Sequence, residues 1–495
     1  MNAHSTRAVV LAAGRSTRFR TKKTKLLFSI CGQTMILYPL RVLESLGIPT
    51  TLVLGYQGDT VKQELQKTDL KDLSFVFQKE QLGTGHAVAC TQETWDKDHI
   101  MILYGDMPLL TKELVQQLIS EHAARNATIT FFTSYVIDPT GYGRIIENNG
   151  KFQIIEEKDC VAEQRYINRI NAGIYLIKKS FLDEYITKLT PSPVTGEIYL
   201  PELIRLAGEA NLLVHAISVP YDNVRGVNTL QELWSVEQIK RSEFIKHWMS
   251  RGVRFELAQS IHLDIDIEIG AGTFIGTGVH LLGKTRIGED CFIGAFSIIE
   301  NATIDNGTMI HSHSVIQQTH IGCHASIGPF ARLRNNSRIG DGTEIGNFVE
   351  MKNSSIGNHS KTRHLSYISN AEIGSNVKLG PSLITCNFNG TQEHKTIIED
   401  NVFIEGNNTL LAPLRIGKGA YVAAGSTISH DVPAGACTIA RSQQIIQPNT
   451  DQATCKAMCC DAGQEDETTI DANAKKDTVQ FTGATKTKDL QKAEF

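Results

Sequence analysis

The chain has little that would tie it to a membrane, a disulfide scaffold or a nucleic acid. No run of about 18 apolar residues suggests a membrane span, and residues 1–8 lack the basic start and apolar stretch of a secretory signal. Ten cysteines (Cys31, Cys90, Cys160, Cys291, Cys323, Cys386, Cys437, Cys455, Cys459 and Cys460) are scattered without CxxC spacing, which argues against a zinc site or a disulfide framework. Lys and Arg number 49 against 53 Asp and Glu, for a formal net charge of -4, so no basic excess recruits nucleic acid or anionic lipid. A P-loop ending in GK[ST] is also missing from the Gly-containing N-terminal stretch. These absences point to a cytoplasmic protein of two or three domains that catches any phosphate with a local site.

What is present divides into three patterned regions. Over residues 1–228, short apolar runs such as "RAVVLAAG", "TTLVLGY", "LSFVFQ" and "HIMILYGD" alternate with helical stretches. This predicts a Rossmann-like α/β domain with a mostly parallel sheet, and ligands beyond the carboxyl ends of its strands. Residues 229–252 hold no Pro, carry apolar residues at Leu230, Leu233, Val236, Ile239 and Trp248, and end at Gly252, which predicts a linker helix. From 253 to 446 the aliphatic period becomes six, as in Ile269, Ile275, Leu281, Ile287, Ile293 and Ile299, again from Ile321 to Ile345, and again from Ile404 to Ile428. Six is the period of a parallel β-helix, whose faces each point one aliphatic residue inward. Polar residues between 353 and 400 are expected to leave the coil, and the polar stretch 447–495, with Cys455, Cys459 and Cys460, reads as a disordered tail.

Chemistry concentrates at the strand ends. Ala12, Ala13 and Gly14 are small enough for a nucleotide to approach the backbone, and Arg18 and Lys25 add charge for a polyphosphate. Asp106 in "YGDMP" ends an apolar strand, where a carboxylate can hold a divalent cation. Gln78 and the Gly83-Thr84 turn can read a base edge by amide and backbone hydrogen bonds.

The ordered set "LAAGxxTR", Lys25, "QLGTGHA", "YGDMP", "GYGRI", "EKD", "INAGIY", "VN", "GNFVEMK" and "HLSY" resembles the bifunctional N-acetylglucosamine-1-phosphate uridylyltransferase and glucosamine-1-phosphate N-acetyltransferase family, over residues 7 to about 445. The resemblance implies a sugar-nucleotide transferase domain, a left-handed β-helix, a homotrimer, and small-molecule substrates whose product feeds cell-wall synthesis. It places Leu11, Ala12, Ala13, Gly14, Lys25, Gln78, Gly83, Thr84, Tyr104, Gly105, Asp106, Gly143, Glu156, Asn171 and Asn228 around UTP and the sugar phosphate, with Asp106 and Asn228 on Mg2+. Arg18 and Lys25 would offset the charge of the meeting phosphates. In the second half it assigns His364 as base, Arg334, Lys352, Tyr367 and Lys378 to the amino-sugar phosphate, and Pro381, Asn387, Phe388, Gly406, Ala424 and Arg441 to acetyl-CoA.

Six positions depart from the family pattern. Lys378 replaces Asn, Pro381 a small residue, Phe388 Tyr and Gly406 Ser; in the first half Ser16 replaces Gly and Thr24 replaces Pro. The C-terminal departures leave open a uridylyltransferase with a purely structural β-helix; a non-catalytic scaffold subunit is the third reading, against which the presence of Lys25, Asp106, Asn228 and His364 together speaks.

Overall fold

The computed structural model describes residues 5–442 together with Gln444 and Ile446, so the stretch 447–495 lies outside the described residues. Among the described residues no helix is long and apolar enough to cross a membrane.

The N-terminal region is built on a nine-stranded mixed sheet. Thr6–Ala12 lies parallel to Thr50–Leu54 on one side and to His99–Tyr104 on the other, and Leu73–Phe77 extends the parallel part beyond Thr50–Leu54. These strands are rich in Val, Ile and Leu because helices cover both faces. Arg169–Lys178 runs antiparallel to His99–Tyr104 and to Ile129–Tyr135. It enters from the short antiparallel hairpin Arg144–Asn148 and Lys151–Ile155 rather than from a crossover helix, which reverses its direction. The chain leaves Thr6–Ala12 and returns on either side of it, so the carboxyl end of that strand is a topological switch point. There the Gly105 amide donates to the Leu11 carbonyl at 2.9 Å, which fixes residues 11–18 beside residues 104–106.

The helix Leu230–Met249 starts at Thr229 with a capping box: the Thr229 hydroxyl accepts from the Glu232 amide while the Glu232 carboxylate accepts from the Thr229 amide. Its Val236 packs with Phe19, Ile30 and Tyr38 of the first region, and Phe244 and Trp248 pack on the core of the second. The Ile265 amide donates to the Cys31 carbonyl at 3.0 Å, a direct backbone link between the two regions.

From Arg254 onward the strands form three parallel sheets of eleven, ten and nine short strands, the faces of a prism. Inward residues form one continuous core from Val253 to Val432. The sixfold series breaks between Ile299 and Ile321, and the structure gives the reason. Ile304, Ile310, Ile316 and Ile321 are all buried, so two faces there are five residues long and the coil continues through the break. The expectation that polar residues leave the coil over 353–400 is corrected in the same way. Residues 355–386 stay in register, with Thr362 fully buried at an inward position, and only residues 387–395 depart before Thr396–Ile398 rejoins its sheet.

Candidate active sites

At the switch point, most of the expected nucleotide residues line one cavity of about 400 Å³: Leu11, Ala12, Ala13, Gly14, Lys25, Gln78, Gly83, Thr84, Tyr104, Asp106 and Asn228. Gly105 supplies the backbone bond to Leu11 described above. The centre of the cavity is a polar knot. The Lys25 ammonium is bonded to the Asp106 carboxylate and donates to Asn228 Oδ1 at 2.9 Å, and Arg18 donates to the same Asn228 oxygen at 2.9 Å. Asn228 is held there from two directions. The Val227 amide donates to the Asp106 carbonyl at 3.0 Å, and the Asn228 amide donates to the capping carboxylate of Glu232 at 2.6 Å.

The loop between Gly14 and Lys25 is tied down from outside. Gln81 Nε2 donates to the Ala13 carbonyl at 2.9 Å. Gln57 accepts from the Thr24 amide at 2.9 Å and donates to the Lys22 carbonyl at 2.7 Å. Ser16 sits in the left-handed region at φ 52 with its hydroxyl buried and unpartnered, so glycine would hold this position with less strain. Gly83, at φ +114, faces the Ile198 backbone, where a Cβ would stand 2.5 Å from the carbonyl oxygen; only glycine fits. Gln78 is buried and its amide nitrogen is committed to the Gly83 carbonyl at 3.1 Å and to His86 Nδ1 at 3.0 Å, so its nitrogen shapes the turn.

Three expected residues stand beside that cavity without lining it. The Asn171 amide donates to the Gly143 carbonyl at 2.9 Å, its side chain donates to the Tyr175 hydroxyl at 2.6 Å, and a Cβ on Gly143 would meet Glu156. Burial, reinforced by the nearby carboxylates of Asp159 and Glu197, pushes the Glu156 carboxyl up to about 7. Sequence reasoning missed Gln81 and Glu197, which also line the cavity. Gln81 lay inside the quoted "QLGTGHA" neighbourhood, whereas Glu197 sits in a loop with no strand to mark it.

The acetyl-transfer candidates divide between two faces of the prism. His364, at the end of Lys361–His364, shares a cavity of about 360 Å³ with Lys378 and Pro381 and with Lys361, Arg363 and Phe403. Its Nδ1–H donates to Asn347 Oδ1 on the preceding coil at 2.5 Å, which orients the ring and leaves Nε2 for proton transfer. Arg334 and Lys352 stand on successive rungs of the neighbouring sheet, and Tyr367 lies on the next rung just past the corner from His364. Arg334 is paired with Glu350 at 2.7 Å and Lys352 with Glu393 at 3.4 Å. Among the acetyl-CoA candidates, Arg441 donates to the Ala424 carbonyl at 2.9 Å, and the Ala424 amide donates to Glu405, next to Gly406, at 2.8 Å. Asn387 and Phe388 head the excursion 387–395; Asn387 is buried and Phe388 is exposed.

Two departures explain each other. A Cβ at Gly406 would stand 3.2 Å from Cγ of Pro381, so the proline ring takes the room a serine at 406 would need.

Both halves of the chain match known protein families. Residues 8–144 match the MobA-like NTP transferase domain, and residues 266–301, 284–318, 318–353 and 395–430 match the bacterial transferase hexapeptide (six repeats) family. A Bifunctional protein GlmU from Alkaliphilus metalliredigens is 38% identical over 442 residues, covering 88% of this chain and 96% of that protein. Bifunctional protein GlmU from a Geobacillus species is 40% identical over 448 residues, 89% of this chain and 96% of that protein, and the one from Clostridioides difficile is 38% identical over 446 residues with the same coverages.

The chain belongs to the GlmU family. It is a bifunctional enzyme that joins a uridylyltransferase to a hexapeptide acetyltransferase with a left-handed β-helix. GlmU relatives match both halves of the chain, the hexapeptide half included.

Proposed function

We propose that Arg18, Lys25, Asp106 and Asn228 are the working centre of uridylyl transfer, and that His364 is the base of acetyl transfer, in a cytoplasmic homotrimer. The observation that carries the first assignment is the convergence of Asp106 and Asn228 oxygens on the Lys25 ammonium. Two hard oxygens gathered on one cation are the donor chemistry that suits magnesium, which takes one or two protein oxygens and completes its shell with water and phosphates. When bound, magnesium supplies neutralising charge to the triphosphate. Lys25 and Arg18 then turn to phosphate oxygens. A phosphate oxygen of N-acetylglucosamine-1-phosphate forms a bond to the α-phosphorus of UTP, the bond to pyrophosphate breaks, and the two cations stabilise the charge that gathers on the leaving group. No proton has to move in this step.

In the second site the amine of glucosamine-1-phosphate attacks the thioester carbon of acetyl-CoA. The C–N bond forms, His364 Nε2 takes the amine proton, the C–S bond breaks with CoA leaving as the thiolate, and the proton passes from His364 to that sulfur to give the thiol. Asn347 holds the ring in the tautomer this requires.

Support for a trimer comes from the placement of His364 on one face and Arg334 and Lys352 on another, so that neighbouring copies can complete a site in the groove between them. A ladder of exposed rings, Phe296, His313, Phe330 and Phe348, runs along one corner with centroids 5.0 to 5.3 Å apart. Such a stripe suits a contact between copies of this chain. Pyrophosphate release with UTP, magnesium and N-acetylglucosamine-1-phosphate, compared between the parent and Lys25→Ala, tests the first assignment: retained activity in the variant contradicts it. CoA release compared between the parent and His364→Ala tests the second in the same way.

A further inference from the structure

The phosphate-binding role given to Lys352 meets an obstacle in the structure. Its ammonium faces the Glu393 carboxylate at 3.4 Å, and the other Glu393 oxygen accepts from Asn370 Nδ2. Asn370 is in turn bonded to Asn353 at 2.6 Å, so the carboxylate is held by a chain of side chains across adjacent coils. Glu393 is not there by accident of a floppy loop. The excursion that carries it is closed on itself: the His394 amide donates to the Asn387 carbonyl at 2.6 Å, the Asn389 carboxamide accepts from the Thr391 and Gln392 amides at 3.0 and 2.8 Å, and Phe388 bridges to Glu393 in antiparallel fashion. With Glu350 on Arg334, two of the three cations assigned to the sugar phosphate, Arg334 and Lys352, already have carboxylate partners.

We propose that Glu393 is a substrate-displaced carboxylate: it occupies Lys352 until the phosphate of glucosamine-1-phosphate takes its place, and thereby sets the affinity of the acetyl-transfer site for its phosphorylated substrate. This rests on the reading of Lys352 as a phosphate ligand. A carboxylate and a phosphate oxygen compete for the same ammonium by the same charge-assisted hydrogen bond, and a dianion entering beside a fixed carboxylate also meets like-charge repulsion. The Lys352–Glu393 pair is partly exposed, so breaking it is cheap and the brake is modest. Glu393 sits by Lys352 on a different face from His364, so its effect falls on binding and not on proton transfer.

The test is calorimetric titration of glucosamine-1-phosphate into the full chain, comparing the parent with Glu393→Gln, Asn370→Ala and Lys352→Ala, with circular dichroism melting and light scattering reporting that each variant is folded and assembled as the parent is. Glu393→Gln is expected to bind about fivefold more tightly, with Asn370→Ala changing in the same direction, and CoA release should show a lower KM with kcat within about twofold. Lys352→Ala is expected to bind more weakly. Unchanged or weaker binding in Glu393→Gln, with weaker binding in Lys352→Ala, overturns the displacement proposal alone; unchanged binding in Lys352→Ala overturns the phosphate reading beneath it.

Discussion

Thr24 shows how a single departure can be absorbed by its surroundings. Its φ of -60 would suit proline, yet its amide is used, donating to Gln57, which also fastens Lys22. Thr24→Pro therefore gains about 0.5 to 1 kcal/mol from a stiffer unfolded chain but loses a hydrogen bond of similar size and loosens the loop before Lys25. Denaturant unfolding should show Thr24→Pro neutral to about 1 kcal/mol destabilised in the parent and stabilising in a Gln57→Ala background; the same effect in both backgrounds would contradict the pairing. Glu156 gives a pH signature at the same scale. Burial raises its carboxyl to about 7, so the folded domain binds a proton there that the unfolded chain releases near 4.5. Its contribution to stability is present below about 4.5 and is lost as pH rises through about 7. Glu156→Gln should remove that slope, and melting curves of the two proteins across this range should converge at low pH and separate towards neutrality.

At the scale of elements, the start of the helix Leu230–Met249 is part of the first active site. The Glu232 carboxylate that closes the capping box also receives the Asn228 amide. Glu232→Ala should cost about 1 kcal/mol of stability and lower uridylyl-transfer kcat by roughly tenfold through a misplaced Asn228, while CoA release stays within error. The strand-end chemistry of Ala12, Gly14, Lys25 and Asp106 was legible because an apolar run that stops at small and charged residues marks the edge of a parallel sheet. The sixfold period revealed the β-helix for a similarly local reason: each inward Ile or Leu recurs on every face. What the letters did not show is long-range. The five-residue faces at Ile304 and Ile321 interrupt the count, so the coil through 300–320 and 355–386 is visible only once the rungs pair. Pro381 against Gly406, and Glu393 on Lys352, are contacts between residues 25 and 41 positions apart that no spacing rule announces.

For the whole molecule, the split of acetyl-transfer residues over two faces predicts that oligomer and second activity fall together. Phe330→Asp breaks the ring ladder at its centre while touching neither core nor cavity. Light scattering should report a smaller species, CoA release should fall at least tenfold, and pyrophosphate release should persist because the nucleotide cavity belongs to one chain. The two regions share a backbone link at Cys31 and Ile265 and a helix packed on both, yet their sites draw on separate residues. The most direct measurement follows from that separation: pyrophosphate and CoA release assayed on the same preparations of the parent, Lys25→Ala and His364→Ala. Lys25→Ala is predicted to lose pyrophosphate release and keep CoA release, and His364→Ala to do the reverse. Loss of both reactions in either correctly folded variant, or retention of both, would contradict the account of two independent catalytic centres in one chain.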